Sequence, residues 1–266
     1  MFSLNSGTPI AIIRGKGAGK KGKKKTLYLK NDDINNFKKD EEDWDSDNEE
    51  EEDKLFNNLE INYGLMQQYP NTKADRECLY ITGPSGSGKS TYASEYIKQY
   101  KKAFPNNDFI LLSRKPEDPV LDQLKPIRIK IDESLLDDPI DFKELENSCV
   151  LFDDIDTISN IKLRDYVQHL RDDILEVGRS SRITCICTSH LACNYKQTRT
   201  LLNEATSLVI FPRSGSSYQY KRMLKVYCGL DKKQVQKILN LPSRWVCLHK
   251  SYPNYVLYAL GAYAIQ

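Results

Sequence analysis

A chain of 266 residues can bury a sizeable core, and one α/β domain of about 200 residues is the size expected within it. The seven cysteines are odd in number, none falls in a Cys-x-x-Cys pair, and Cys149, Cys185, Cys187 and Cys247 sit inside apolar runs; this argues against a disulfide framework or a zinc site and suits a reducing compartment. The net charge is only +2, which hides a sharp asymmetry at the N-terminal end.

Residues 14–30 carry Arg14, Lys16, Lys20, Lys21, Lys23, Lys24, Lys25 and Lys30 with no acidic residue, and 40–53 hold eleven Asp or Glu in fourteen positions. Like-charge blocks repel themselves and bury little apolar surface, so 1–60 is expected to be a flexible leader and 61–266 the folded domain. The lysine- and glycine-rich stretch 15–21 lacks the spacing of a phosphate loop and is expected to be a basic tail that could meet polyanions. The start has no signal-peptide pattern, and the longest apolar run, 256–265, is too short to span a bilayer, so a soluble intracellular protein is expected.

From residue 78 onward, short apolar β-rich runs alternate with helical patterns. Strands are expected at 78–82, 109–113, 127–131, 149–153, 183–188 and 207–211, forming a mainly parallel, doubly wound sheet. Helices are expected at 90–102, at 162–177 with a cap at Gly178, and at about 231–241. The segments 245–250 and 255–259 flank a turn at Pro253 and Asn254, completing a small helix-plus-hairpin extension.

The stretch Gly83, Pro84, Ser85, Gly86, Ser87, Gly88, Lys89, Ser90 and Thr91 matches G-x-x-x-x-G-K-[ST] in full, with a strand before it and a helix after it. Glycines let the backbone curl so that several N–H groups converge on phosphates at the positive end of the following helix. Lys89 should reach the β- and γ-phosphates of ATP, Ser90 should place its hydroxyl on Mg²⁺, and Thr91 should serve nucleotide contact or helix packing. The apolar run 149–152 ends in Asp153 and Asp154, which puts carboxylates at the sheet edge where open α/β folds bind ligands. Asp153 is then the second Mg²⁺ residue, and Asp154 the group that polarises the attacking water, a task usually given to Glu. The next strand ends at Ser189 and His190, either of which can touch the γ-phosphate. Arg179 or Arg182, ahead of that strand, could act as an arginine finger on a nucleotide held by a neighbouring subunit, with Arg213 as a further candidate.

Taken together, the loop 83–90, the run 150–154, the Gly178–Arg179 step before a strand ending in Thr188, Ser189 and His190, and the segment 208–216 resemble the poxvirus-type DNA-packaging ATPases of nucleocytoplasmic large DNA viruses, in the FtsK/HerA group. The likeness spans about residues 78–260. It implies an oligomeric, ring-forming, ATP-driven motor that translocates double-stranded DNA into capsids, working in the host cytoplasm at viral factories, with a capsid component as a further partner. The chain departs from that family at His190, where Gln is usual, and at Asp154, where related motors place Glu. A small-molecule or nucleotide kinase, and a nucleotide-gated scaffold, are the alternative readings. Two basic clusters, 98–102 and 221–225, are interleaved with Tyr96, Tyr100, Tyr218 and Tyr220, a composition that suits nucleic-acid contact.

Overall fold

The computed structural model describes residues 1–15, 24–30, 57–61, 65–250 and 253–265. Its main element is a ten-stranded sheet, and six of its strands are parallel neighbours. These are β6 (Cys78–Thr82), β7 (Asp108–Ser113), β8 (Ile127–Lys130), β9 (Ser148–Asp153), β10 (Thr184–Ser189) and β11 (Ser207–Ile210), in the order β11-β6-β10-β9-β7-β8. Strands β6, β9, β10 and β11 are buried along their whole length, which is why they read as unbroken apolar runs. Beyond β11 the sheet continues antiparallel through β12 (Val246–His249), β13 (Tyr255–Tyr258), β14 (Gly261–Ala264) and β4 (Asn58–Glu60). The expected hairpin is therefore β12 and β13, and it extends the main sheet.

One face is covered by α3 (Ile161–Val177), α4 (Tyr195–Glu204), α5 (Ser217–Cys228), α6 (Lys232–Leu239) and the short α2 (Ser134–Asp137); the other receives α1 (Lys89–Ala103). Beside α1 stands a second, four-stranded antiparallel sheet, ordered β1-β3-β2-β5, made of β1 (Phe2–Ser3), β2 (Thr8–Arg14), β3 (Lys24–Leu29) and β5 (Leu65–Gln68). Phe2, Ile10, Leu27 and Met66 join Leu79, Ile81, Tyr96 and Val209 in one core cluster.

Part of the expected leader over 1–60 is strand: 2–3, 8–14 and 24–29. Their alternation, with Leu27 and Leu29 buried and Lys24 and Lys25 exposed, is that of a half-buried strand, and the count of lysines conceals it. Of the rest of the leader, 58–60 form β4, while 16–23 and 31–56, including the acidic run 40–53, lie outside the described residues. All seven cysteines are free thiols. Burial pushes those of Cys78, Cys228 and Cys247 up to about 12, which makes them packing residues and not nucleophiles. Among the described residues, no helix is long and apolar enough to cross a membrane.

Gly178 ends α3 without the left-handed turn expected of a capping glycine: its φ is −66°. A Cβ there would meet the Ile174 carbonyl oxygen at 2.5 Å and Arg76 Nη1 at 2.9 Å, so it is the close approach of the helix's own backbone at Ile174, more than the movable Arg76 side chain, that demands glycine.

Candidate nucleotide site

Parallel pairing brings the carboxyl ends of neighbouring strands to one edge. Ser189 stands opposite Thr82, and Ser113 opposite Asp153, with β10 lying between β6 and β9. The loop 83–88 leaves β6 at this edge and is anchored where the Gly83 N–H donates to the Ser189 carbonyl (3.1 Å) and the Ser87 N–H to the Pro84 carbonyl (3.2 Å). Gly88 has φ +116°, a backbone state L-residues rarely adopt, and a Cβ on Gly83 would fall 2.7 Å from Ser87 Oγ and 2.9 Å from Phe211 Cδ2.

The loop passes straight into α1, whose N-cap is Gly88. Helices α3, α4, α5 and α6 each have a side chain closing the first turn: Asn160, Asn194, Ser216 and Asp231. Helix α1 has no side-chain cap and no acidic residue in its first turn. Its first N–H groups keep their donors for an external acceptor, at the positive end of a 15-residue helix dipole. The buried Ser87 Oγ also makes no hydrogen bond. These observations fit a phosphate chain.

Lys89 is 7% exposed, and its ammonium donates to the Gly83 carbonyl (3.0 Å), lies 3.4 Å from Asp154 Oδ1 and 3.4 Å from His190 Nδ1. The other ring nitrogen, His190 Nε2, is 3.2 Å from Asp154 Oδ2. A neutral imidazole protonated at Nε2 satisfies both contacts: it accepts from Lys89 and donates to Asp154. Asp154 itself is held in the left-handed region (φ 47°, ψ 42°), which turns its carboxylate across the edge towards β10. Thr188 fixes the pair, since its Oγ1 donates to Asp153 Oδ1 (2.9 Å) and accepts from the Asp154 N–H (2.9 Å). Asp156 holds the end of β10, accepting from Ser189 Oγ (3.0 Å) and from the His190 N–H (2.9 Å).

The structure thus brings Lys89, Asp153, Asp154 and His190 to one edge and adds Lys115. The Lys115 ammonium reaches Asp153 Oδ2 at 3.2 Å and Asp154 Oδ2 at 3.6 Å, while Ser113 Oγ donates to Asp153 Oδ2 at 3.1 Å. Partial burial pulls the Lys115 pKa down, but the Asp153, Asp154 and Asp118 carboxylates together outweigh it and hold the ammonium above its ordinary value. No sequence motif marks Lys115; it reaches the site because β7 pairs with β9. The hydroxyl of Ser90 and the carboxylate of Asp153 are hard oxygen donors of the kind Mg²⁺ takes, and Ser90 is the second residue of α1. Among the described residues, no group of three or more His, Cys, Asp or Glu could hold a metal ion.

A cavity of about 500 Å³ begins at Gly88 and Thr91 and runs between α1, β5 and the 244–245 segment, with Tyr92, Phe211 and Trp245 among its walls. Ligand pockets of this size are mostly apolar with a few polar groups, and here Gln67, Glu95 and Arg244 supply the latter. The small N-terminal sheet therefore contributes a wall of the site through β5.

Arg179 is not at this edge. It precedes β10, about 17 Å of strand away from Ser189, and pairs on the surface with Asp75 (2.8 Å; the Arg179 side chain is 77% exposed). Arg182 lies at the same far end, with φ 53°. Arg213 is exposed just beyond β11, at the loop edge. Of the expected basic and aromatic patches, Tyr96, Tyr100 and Tyr220 are core residues, 1%, 2% and 1% exposed; only Tyr218, 73% exposed, faces outward beside Lys221, Arg222 and Lys225.

No protein-family model matches the chain. The V3 protein of Sputnik virophage is 45% identical over 216 residues, covering 80% of this chain and 86% of that one. Among solved structures, the cytoplasmic domain of the Thermomonospora curvata type VII secretion ATPase EccC aligns with a TM-score of 0.50 at 13% identity, over 77% of this chain and 28% of that one, and shares the P-loop NTPase fold. The genome-packaging NTPase B204 of Sulfolobus turreted icosahedral virus 2, solved with ATP-gammaS, aligns at a TM-score of 0.47 and 11% identity, over 70% of this chain and 97% of that one.

Proposed function

The chain belongs to the family of the virophage V3 protein, and from that premise we propose that it is an ATP-hydrolysing motor of the FtsK/HerA group that translocates double-stranded DNA into viral capsids. The observation that carries the reading is the set Lys89, Asp153, Asp154 and His190 at one sheet edge, beside a helix whose N-terminus has no cap of its own.

The α1 N–H groups and Lys89 bind the β- and γ-phosphates, and the cavity at Thr91 takes the nucleoside. Mg²⁺ held by Ser90 and Asp153 would supply positive charge against the phosphate oxygens. Asp154 accepts a proton from, or orients, the attacking water. His190 stands between the lysine that follows the γ-phosphate and the carboxylate that follows the water, so loss of the γ-phosphate changes both of its partners. These carboxylates face a cluster of Lys89, Lys115 and His190, an arrangement that suits water as the phosphoryl acceptor better than a second organic substrate.

Arg179 completes the reading only in an oligomer. At the far end of β10 it cannot reach the phosphates of its own chain, and its exposed guanidinium would exchange the equally exposed Asp75 for those of a neighbour in a ring. The exposed face of α5, with Tyr218, Lys221, Arg222 and Lys225, offers phosphate and stacking contacts to DNA. Capsid assembly in the host cytoplasm is the setting this implies.

The test is steady-state ATP turnover by the full chain, with and without double-stranded DNA, beside Lys89→Ala. Turnover that rises with DNA and vanishes in the variant is expected; turnover that ignores DNA at every protein concentration contradicts the motor reading.

A further inference from the structure

The peptide groups of the loop must point their N–H bonds inward if they are to hold phosphate. In a planar trans peptide the C=O of one residue and the N–H of the next point in opposite directions. Fixing a loop carbonyl on the outside therefore fixes the following N–H on the inside. Arg244 holds two consecutive carbonyls, its Nε donating to that of Ser87 (2.9 Å) and its Nη2 to that of Gly86 (3.0 Å); the Ser87 N–H is taken by the Pro84 carbonyl (3.2 Å), so the donor turned inward is the Gly88 N–H.

Phe211 and Arg244 together crowd the loop at this point. A Cβ on Gly88 would lie 3.3 Å from Phe211 Cε1 and 3.6 Å from both Nε and Nη2 of Arg244. Arg244 is itself anchored. The neighbouring Ser243, 4% exposed, donates through Oγ to the Trp245 carbonyl and accepts there from the Ala259 N–H (3.0 Å). Trp245 packs edge-on against Tyr92 of α1 (5.0 Å between ring centres). The guanidinium thus projects from a braced turn and has two fixed acceptors, a task suited to its planar fork of donors.

We propose that Arg244 is a positioning residue for phosphate binding: it sets the orientation of the 86–87 and 87–88 peptides, and so couples the antiparallel C-terminal part of the sheet to the loop. The inference rests on the reading of 83–90 as a phosphate loop. It assigns Arg244 no direct contact with the transferred phosphoryl group, which separates it from an arginine finger.

The experiment uses the full chain, with inorganic tripolyphosphate as a probe of the loop alone, adenosine as a probe of the neighbouring cavity, and ATP turnover as the kinetic readout. Charged hydrogen bonds of this kind correspond to about a tenfold change in binding. Arg244→Ala is expected to weaken tripolyphosphate about tenfold and to raise the KM for ATP by a similar factor. The kcat at saturating ATP should stay within about twofold of wild type and the melting temperature close to it, while adenosine, whose cavity Arg244 also lines, should weaken less than tripolyphosphate. Arg244→Gln, which keeps two neutral donors, should recover part of the tripolyphosphate affinity, and it also serves if the alanine variant does not fold.

Unchanged tripolyphosphate affinity in both variants overturns the proposal. So does a fall in kcat with KM unmoved, which would make Arg244 a direct partner of the reacting phosphate. An equal loss for adenosine and tripolyphosphate, with a lowered melting temperature, would reduce it to a packing residue. If the wild-type chain binds neither ATP nor tripolyphosphate, it is the phosphate-loop reading that fails.

Discussion

Replacing Lys115 by methionine removes a cation that touches both acidic residues at the end of β9 while keeping most of the apolar stem. Asp153 is 3% exposed, so its charge has little water to turn to, whereas the Lys115 side chain is 49% exposed. Solvent on the lysine side screens the attraction, and each contact then belongs to the range of about 0.2–1 kcal/mol measured for exposed pairs, with the Asp153 contact at its upper end because that carboxylate is buried. The two contacts at 3.2 and 3.6 Å together give about 1–2 kcal/mol. For a domain of this size that is a fall in melting temperature of about 3–6 °C. Thermal unfolding followed by circular dichroism measures it, on wild type, Lys115→Met, Asp153→Asn and the double variant. The double variant should lose less than the sum of the singles, because removing the carboxylate removes the lysine's purpose. Magnesium with ATP should narrow the gap between wild type and Lys115→Met, since a divalent cation at Asp153 takes over the neutralising role. Additive losses, or a Lys115→Met variant that melts with wild type, would refute the reasoning.

Thr188→Val removes the hydroxyl that satisfies Asp153 and the Asp154 N–H; urea unfolding should show a loss of about 1–3 kcal/mol, and turnover should fall with it. Phe2 is fully buried and packs edge-on against Tyr255, so Phe2→Ala should cost about 3–5 kcal/mol, where a dispensable N-terminal segment would lose nothing. Arg179→Ala should leave stability within about 1 kcal/mol and ATP affinity nearly intact, because its partner Asp75 is also exposed, while abolishing DNA-stimulated turnover. An unchanged stimulated rate in that variant removes Arg179 as the finger.

The parallel half of the fold was legible in the sequence because strands buried on both faces must be apolar throughout, as at 78–82 and 149–153. The loop 83–90 was legible because the pattern G-x-x-x-x-G-K-[ST] restricts residue type at fixed spacing. The N-terminal strands were obscured because charged side chains on a strand's outer face dominate a charge count while Leu27 and Leu29 do the packing. Helices α4 and α5 escaped notice because they present few apolar residues to the core; α5 buries Tyr220, Met223 and Leu224 behind a face of lysine, arginine and tyrosine. Lys115 and Arg244 could not be found by pattern, since each meets its partners through pairing of distant strands or a turn far along the chain: Arg244 lies 157 residues from Ser87. The same tertiary arrangement shows that a fragment starting at residue 60 would lack β1 to β3, a wall of the core next to α1, so activity is to be measured on the full chain.

The account stands or falls on Asp154 as the group that activates water. The most direct measurement is single-turnover hydrolysis of ATP by full-length Asp154→Asn with double-stranded DNA present, alongside binding of a slowly hydrolysed ATP analogue. The account predicts that the analogue binds within a few-fold of wild type while the hydrolysis rate falls by about 100-fold or more. Turnover within a few-fold of wild type, with binding preserved, would contradict it.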